Sequence, residues 1–351
     1  MQEKIRTLER ILETGMGNCA QRALSVALKK KLFDRIGESG AALSELASIL
    51  NCDERPAGIL ADLLIALHLL EKEGERFYLF PGTGEFLIST SEFYAGGFIL
   101  MLDERLYCTW ASLEEAIMNN APLSGLPSGP VLSQDESDTV VRNAIMGLHG
   151  FTSITSSILC EVINLSPGST HLDLGGGTGA LSIALARRFP EVNFTMIDLG
   201  PVIKVAGENV KRAGLTSQIE VLEGDFFNTP YPAGISSISL SNVLQDWSRE
   251  KRMMLLSRAF QALPAGGMIV IVECMLNEEH KGPLLAAMMS LNMFIETAGG
   301  ESFSTGENAA MLKNAGFCDV ETVKDYMPFG IIKAYKKGGA GGKPGGRDRG
   351  V

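Results

Sequence analysis

A glycine-rich segment in the second half of the chain has the residue types and spacing of a nucleotide-binding loop. The segment LDLGGGTGALSIALA predicts a strand, a tight turn and a helix start, and Gly175, Gly177 and Gly179 let a ligand approach the main chain. Asp198 ends the next strand-like run, where a carboxylate can accept hydrogen bonds from both hydroxyls of a ribose. The loop alone leaves the class of cofactor open, because Ala180 also completes the G-x-G-x-x-A pattern of nicotinamide enzymes.

Two further motifs follow the loop at the ends of later strand-like runs. In EGDFF, Asp225 offers a carboxylate that can bind an adenine amino group, and Phe226 offers a ring that can stack on the base. In SNVLQDW, Gln245 stands where a base could act on a substrate hydroxyl. A glutamine amide can hold such a hydroxyl but cannot take its proton at neutral pH.

These motifs, together with LPAGG and a late segment from Gly299 to Phe317, make the chain resemble the S-adenosylmethionine-dependent small-molecule O-methyltransferases. Acetylserotonin, caffeate and hydroxyneurosporene methyltransferases are typical members, and the resemblance covers about residues 15–336. It favours S-adenosyl-L-methionine over a nicotinamide cofactor and implies a Rossmann-like binding domain. The cofactor contacts that it implies are Gly175 and Gly177 to the methionine part, Asp198 to the ribose, Asp225 and Phe226 to the adenine, and Ser241 and Trp247 close by.

The catalytic positions depart from the family pattern. Gln245 replaces the histidine that acts as general base in many members, and Ser302 replaces a second catalytic acid of plant-type members. Glu273 keeps an acidic position of the family, and Asp246 directly follows Gln245. His149, which we expect near the start of a helix, or Glu273, if burial raises its pKa, is a candidate substitute base. The predicted catalytic residues are therefore His149, Gln245, Asp246 and Glu273.

The segments that the resemblance assigns to the acceptor pocket are rich in methionine and aromatic residues. Met-rich walls adapt to flat or irregular ligands, so the acceptor is expected to be small and mostly apolar or aromatic. Ordinary core packing is the alternative explanation for the same residues. The predicted pocket residues are Tyr107, Trp110, Met146, Met289, Asn292 and Met293.

The missing histidine leaves more than one reaction open. Methyl transfer is an in-line displacement at a sulfonium, and holding the reactants in line supplies much of the acceleration. A base matters for a neutral phenol, with a pKa of about 10, and matters little for a thiol, an amine or an acidified phenol. We expect O-methylation by proximity, with S-, N- or C-methylation as one alternative. A relative that binds the cofactor without transferring its methyl group is the other.

The elements that must position these residues fall into two kinds. From Thr170 onward, five strand-like runs alternate with helices, which predicts a doubly wound α/β sheet with parallel strands. The first 95 residues predict a helical winged-helix module, whose second helix, Ala57 to Leu70, is apolar rather than basic. That composition favours a homodimer interface over the reading of DNA. The predicted domains are 1–95 for dimerisation, 96–165 for linking helices that line the pocket, 166–336 for the cofactor and 337–351 for a disordered glycine-rich tail.

Composition narrows the partners and the compartment. A net charge of −10, from 31 basic and 41 acidic residues, disfavours nucleic acid and anionic membranes as partners. The six cysteines are scattered, as in a reduced cytoplasmic protein, and no run of apolar residues is long enough to span a membrane. No metal site is expected, because the four histidines are far apart in the sequence, at positions 68, 149, 171 and 280.

Overall fold

The computed structural model describes residues 1–37, 39–123, 138–323 and 326–338, so most of the predicted glycine-rich tail lies outside the described residues. The chain forms two compact units. The first comprises Met1–Ala111 with Asn143–Ile154, and the second comprises Ser112–Arg142 with Thr155–Val351.

The first unit is mostly helical. Its helices are α1 (Gln2–Gly15), α2 (Gly17–Lys29), α3 (Leu32–Ile36), α4 (Leu43–Leu50), α5 (Glu54–Ala66), α6 (Thr83–Leu87), α7 (Gly96–Met101), a π-helical turn (Leu102–Leu106) and α8 (Tyr107–Trp110). Strands β1 (Ala41–Ala42), β2 (Leu70–Glu73) and β3 (Arg76–Leu79) form a small antiparallel sheet in the order β1-β3-β2. Leu28, Phe33, Leu46 and Leu64 are among the residues of its core.

The predicted helix-turn-helix and hairpin are present in this unit, but the predicted bounds of the second helix are wrong. The second helix begins at Glu54 and ends at Ala66, because His68 adopts a left-handed φ of 54° and Leu70 already belongs to β2. His68 itself is exposed, and its ring lies 5.3 Å from that of Phe80.

The second unit is an α/β structure. Its helices are α9 (Leu113–Asn119), α10 (Asp138–Val162), part of which belongs to the first unit, α11 (Ala180–Arg188), α12 (Gly200–Arg212), α13 (Arg249–Ala262), α14 (Leu284–Glu296) and α15 (Thr305–Asn314). Its strands are β4 (Thr170–Leu174), β5 (Asn193–Asp198), β6 (Ile219–Glu223), β7 (Ser237–Ser241), β8 (Met268–Cys274), β9 (Cys318–Val323) and β10 (Phe329–Tyr335).

The seven strands confirm the predicted doubly wound sheet and extend it. Their order is β6-β5-β4-β7-β8-β10-β9, and the five predicted strands are all parallel. The prediction missed β9 and β10, which run antiparallel to their neighbours. The connection between these two strands is too short for a crossover helix, so they pair as an antiparallel hairpin.

The order of the strands determines where a ligand can bind. The chain leaves β4 outward through β5 and β6, and then returns to place β7 on the other side of β4. In sheets of this kind, ligands bind at the carboxyl ends of the strands where the direction of winding switches. The glycine loop, Asp198, EGDFF and SNVLQDW all lie at the carboxyl ends of β4 to β7.

Candidate active site

The glycine loop after β4 requires glycine for two different reasons. Gly175, Gly177 and Gly179 all have left-handed φ angles, of 71°, 56° and 79°. A Cβ atom on Gly175 would lie 2.7 Å from a methyl carbon of Val243 and 3.5 Å from the ring of Phe226. A Cβ atom on Gly177 would meet no atom within 4 Å, so the main chain there borders open space. The loop is therefore packed on one side and accessible on the other.

Asp198 fixes this loop from the end of β5. Its Oδ2 accepts a hydrogen bond from the backbone N–H of Gly177 at 2.8 Å, and its Oδ1 accepts one from Leu199 at 2.7 Å. Burial raises the pKa of Asp198 to about 6, although both backbone N–H groups favour the charged form. Each carboxylate oxygen retains a second lone pair, so the side chain can also accept hydrogen bonds from a ribose.

The EGDFF segment places aromatic rings beside the loop. The Phe227 ring lies 4.7 Å from the Trp247 ring and the Phe226 ring lies 6.0 Å from it, both nearly edge-on. The Asp225 carboxylate accepts hydrogen bonds from Phe227 N at 2.9 Å and from Asn228 Nδ2 at 2.5 Å. In this structure, the Asp225 side chain thus stabilises the turn that carries the rings.

The SNVLQDW segment forms a short 3-10 turn, Leu244–Asp246, and Glu273 on β8 binds its main chain. Glu273 is buried, and its Oε1 accepts the backbone N–H of Gln245 at 3.1 Å. Burial raises the pKa of Glu273, while the nearby Arg252 and the backbone N–H groups of the turn lower it. The carboxylate therefore binds the main chain of the turn, and the position of that main chain determines where the Gln245 side chain lies.

Arg252 on α13 is a site residue that the sequence analysis missed. Its side chain is fully buried, and Nε donates to the carbonyl of Trp247 at 2.7 Å. Nη2 donates to the carbonyls of Gln245 at 3.4 Å and Glu301 at 2.5 Å. The guanidinium lies 3.9 Å from the centroid of the Phe303 ring. It therefore ties the 3-10 turn to the GGESF loop, and Glu301 N adds a direct bond to the Gln245 carbonyl at 2.9 Å.

Acidic side chains cluster around the same turn. Burial raises the pKa of Asp246 well above its usual range, and the charges of Glu273 and Glu296 raise it further. Glu296, on α14, is buried and accepts a hydrogen bond from the side-chain amide of Asn292. Glu296 was also missed by the sequence analysis. The cluster therefore disfavours the charged form of Asp246.

Several buried polar atoms near the turn have no hydrogen-bond partner among the described residues. Buried polar groups in proteins are nearly always paired, so a group of unpaired atoms indicates where a ligand binds. Both donors and acceptors are present, which fits a nucleoside and a polar acceptor group. The atoms include Ser241 Oγ, Asn242 Nδ2 and Oδ1, Gln245 Oε1, Trp247 Nε1, Arg252 Nη1, Asn292 Oδ1 and Ser302 Oγ.

The predicted acceptor-pocket residues lie in both units. Met289, Asn292 and Met293 lie buried on α14 in the second unit. In the first unit, Tyr107 and Trp110 lie on α8, and Met146 lies half-buried on α10. A cavity of about 590 Å³ opens along α14, but its lining includes none of the six predicted pocket residues.

His149 lies at a different place in its helix from the one we predicted. Because α10 begins at Asp138, His149 lies in its interior rather than near its start. The flanking glycines allow close packing within the first unit. A Cβ atom on Gly150 would lie 1.9 Å from the carbonyl oxygen of Tyr94, and one on Gly147 would lie 3.0 Å from that of Gly97. The glycines of IMGLHGFTS are therefore packing residues.

Two features are absent from the described parts of the chain. No group of three His, Cys, Asp or Glu side chains there is arranged to hold a metal ion. No helix there combines the length and the apolar character that crossing a membrane requires.

Comparisons with known proteins agree with this geometry. A family model described as an O-methyltransferase domain matches residues 118–318. The chain is 32% identical to a 3-hydroxy-5-methyl-1-naphthoate 3-O-methyltransferase of Streptomyces sahachiroi, over 94% of this chain and 95% of that protein. It is 29% identical to the N,N-dimethyltransferase OxyT of Streptomyces rimosus, over 84% of this chain and 86% of that protein. A solved structure of PigF with SAH matches with a TM-score of 0.77 and 27% identity, over 93% and 99% of the two chains.

Proposed function

Because the chain belongs to the O-methyltransferase family, we propose that it is an S-adenosylmethionine-dependent enzyme that methylates an oxygen of a small, mostly apolar or aromatic molecule. One structural observation carries this proposal. The glycine loop, Asp198 and the aromatic rings follow neighbouring parallel strands, and the hydrogen bond from Gly177 to Asp198 joins two of these segments. Such an arrangement at a switch point is suited to an adenosine ligand.

The residues present fit this cofactor. Open space over Gly177 leaves room for the methionine part, and Asp198 can accept hydrogen bonds from the ribose. Phe226 supplies a ring for the adenine, and the unpaired Ser241 Oγ and Trp247 Nε1 supply polar contacts nearby. S-adenosylmethionine supplies an electrophilic methyl group when it is bound.

Gln245 is assigned to position the acceptor. Its Oε1 is buried without a partner among the described residues, so it can accept the hydrogen of a substrate hydroxyl. Glu273 and Arg252 fix the main chain on either side of it, which keeps the amide in place. The arrangement supports transfer by proximity and orientation.

The destination of the acceptor proton is a separate question. Glu273 already accepts backbone hydrogen bonds, so we assign it to holding the turn rather than to base catalysis. His149 stays a predicted proton acceptor. A pH–rate profile tests this role, because His149→Ala removes a limb at about pH 6–7 only if this imidazole takes the proton.

The proposal is tested by transfer of label from S-adenosylmethionine with a tritiated methyl group. Matched phenol, thiol and amine acceptors are compared, with Gly175→Val as the cofactor-site variant. The added side chain meets Val243 at short distance, so binding and transfer should both be lost. Gly207→Ala, where a Cβ atom meets nothing within 4 Å, is the control and should behave as wild type. Equal transfer by Gly175→Val and wild type would contradict the assigned cofactor site.

Methylation of nitrogen is a second candidate reaction. The absence of a base at position 245 does not slow methylation of an amine, because its nitrogen carries its own lone pair. One relative is named an N,N-dimethyltransferase. The same screen decides between them. Label on the amine and none on the matched phenol would favour the nitrogen reaction.

We also propose that the chain forms a homodimer through its N-terminal unit. Helix α1 has no buried residue, and four of its apolar side chains, 54–58% exposed, lie largely on one face: Ile5, Leu8, Ile11 and Leu12. A second copy of the chain offers an identical apolar face, as in a two-fold interface. The exposed side of α5 supports this over DNA reading, since Arg55 is the one basic residue of that helix.

The dimer proposal is tested by light scattering after size-exclusion chromatography. Leu8→Glu with Leu12→Glu should convert a dimer into a monomer, because charges would then be buried in the interface. Thr7→Glu adds a charge outside that face and should leave the dimer intact. A wild-type chain that is monomeric at micromolar concentration would contradict the proposal.

We also propose a fold class for the first unit and a cellular compartment for the chain. The α4–α5 pair followed by the β2–β3 hairpin supports the proposed winged-helix class for the first unit. All six cysteines are free in the structure, which supports a reducing compartment and hence the cytoplasm.

A further inference from the structure

A row of hydrogen-bonded polar side chains crosses the interior of the sheet at the glycine loop. The His171 ring lies between two serine hydroxyls, with Nδ1 2.8 Å from Ser237 Oγ and Nε2 2.9 Å from Ser239 Oγ. The hydroxyls of Ser239 and Ser182 each donate to the carboxylate of Asp173 at 2.8 Å. We call these five residues the polar row.

The polar row is completely buried inside an apolar layer. Its members are at most 3% exposed, and its neighbours include the Phe194 ring, 5.7 Å from that of His171, and Val270, which pairs with Ser239. Burying polar groups costs free energy unless each one is paired, so such a row persists only where every member has a partner. None of the cofactor or acceptor contacts assigned above uses His171, and the sequence analysis gave it no role.

The direction of each hydrogen bond in the polar row follows from the neutral state of His171 and from the acceptor role of Asp173. Burial lowers the pKa of His171 to about 3, so the ring is neutral and has one N–H group. The Ser239 hydroxyl donates to Asp173, so its oxygen must accept from His171 Nε2–H. Nδ1 then accepts from the Ser237 hydroxyl. This tautomer is assigned from the hydrogen-bond pattern.

Asp173 connects the polar row to the glycine loop. It precedes the loop on β4, and its partner Ser182 lies in the first turn of α11, directly after the loop. One carboxylate thus holds the segments on both sides of the loop. The loop also rests on it, because a Cβ atom on Gly176 would lie 3.2 Å from Asp173 Oδ2.

We propose that His171 is a positioning residue for the methionine part of the cofactor. It orients the Ser239 hydroxyl, which orients the Asp173 carboxylate, which fixes the conformation of the glycine loop. The inference rests on the proposed function, because that function assigns the loop to the methionine part.

The test compares two ligands of the full-length chain by calorimetry. S-adenosylhomocysteine contains the amino-acid part, whereas 5′-methylthioadenosine has the adenine and ribose without it. His171→Phe and Ser182→Ala should each weaken S-adenosylhomocysteine binding by about tenfold, the typical effect of one lost buried hydrogen bond. Binding of 5′-methylthioadenosine should change by less than about twofold in the same variants, since its contacts lie at Asp198 and the rings.

Two further variants separate positioning from general damage. His171→Gln keeps a donor and an acceptor and should retain S-adenosylhomocysteine binding. Thr195→Val removes a buried hydroxyl from the adjacent strand β5, outside the polar row, and should leave both ligands unaffected.

Equal weakening of both ligands, or no weakening in His171→Phe and Ser182→Ala, would overturn the inference. Failure of the proposed function looks different, because the wild-type chain would then bind neither ligand, and the inference would fall with it.

Discussion

Replacement of Arg252 by methionine should unfold the second unit at a much lower temperature while leaving its apolar packing nearly filled. The variant removes the donors to the Trp247 and Glu301 carbonyls, whereas the Gln245 carbonyl keeps its bond from Glu301 N. Each buried carbonyl that loses its donor costs about 1–3 kcal/mol. The positive charge near Glu273 and Asp246 is also lost, which further disfavours their ionised forms.

The burial of the arginine guanidinium is itself unfavourable, so its removal offsets part of this cost. For the net loss in free energy of unfolding we take the range for removing one partner of a buried charged group, about 3–5 kcal/mol. For a unit of this size, each kcal/mol corresponds to about 2–4 °C in melting temperature. A decrease of about 10 °C is therefore expected. Methyl transfer should fall as well, because the turn that carries Gln245 loses its attachment to the GGESF loop.

The assay is thermal unfolding monitored by calorimetry, with Arg249→Met as the matched control. Arg249 is exposed on the same helix, and its replacement should change stability by less than about 0.5 kcal/mol. Arg252→Lys keeps the charge but not the planar fork of donors, so an intermediate loss is expected. If Arg252→Met melts together with wild type, the guanidinium does not hold the two segments as argued.

Three further predictions follow from the same site. Asp198 has a pKa of about 6, so cofactor affinity should fall about tenfold per pH unit below about pH 6 as its carboxylate takes up a proton. The stability of the ligand-free chain should rise over the same interval, because the pKa of Asp198 is higher in the folded chain than in the unfolded chain. Calorimetric titration and thermal melts at several pH values check both directions, and a flat affinity profile would contradict the first. Gln245→Leu should raise the KM for a phenolic acceptor by about tenfold, the value of one hydrogen bond, with cofactor affinity unchanged in a direct titration. Glu273→Gln should lower kcat more than it changes cofactor affinity, because the amide holds the backbone N–H of Gln245 less firmly, and steady-state kinetics beside a binding titration measures both.

The sequence was sufficient to predict the α/β sheet and the order of the motifs along it. Strand-like runs alternating with helices predict parallel strands, and glycine spacing predicts the loop. The final hairpin was missed because CDVETV and FGIIKAY pair antiparallel with each other and with β8, a pairing that local pattern does not specify. The end of α5 was misplaced because His68 adopts a left-handed conformation shortly before β2, which the apolar pattern of the sequence does not show.

The site was only partly predictable for a similar reason. Motif positions identify Asp198, Gln245 and Glu273, but they do not show that Glu273 binds the main chain of the turn. A weaker pattern in the sequence points to Arg252 and Glu296, because each is a charged residue on a helix face that buried residues otherwise occupy. Their roles depend on which segments meet in three dimensions, and only the tertiary structure supplies that.

The most direct measurement of the central claim uses S-adenosylmethionine with a trideuterated methyl group. Wild-type chain is incubated with a phenolic acceptor that also carries an amine, and the product is examined by mass spectrometry and NMR. We predict one trideuterated methyl group on the phenolic oxygen, with formation of an equal amount of S-adenosylhomocysteine. Tight binding of the cofactor with no deuterium in any phenol, thiol or amine would contradict the claim and would identify the chain as a binder that does not transfer the methyl group.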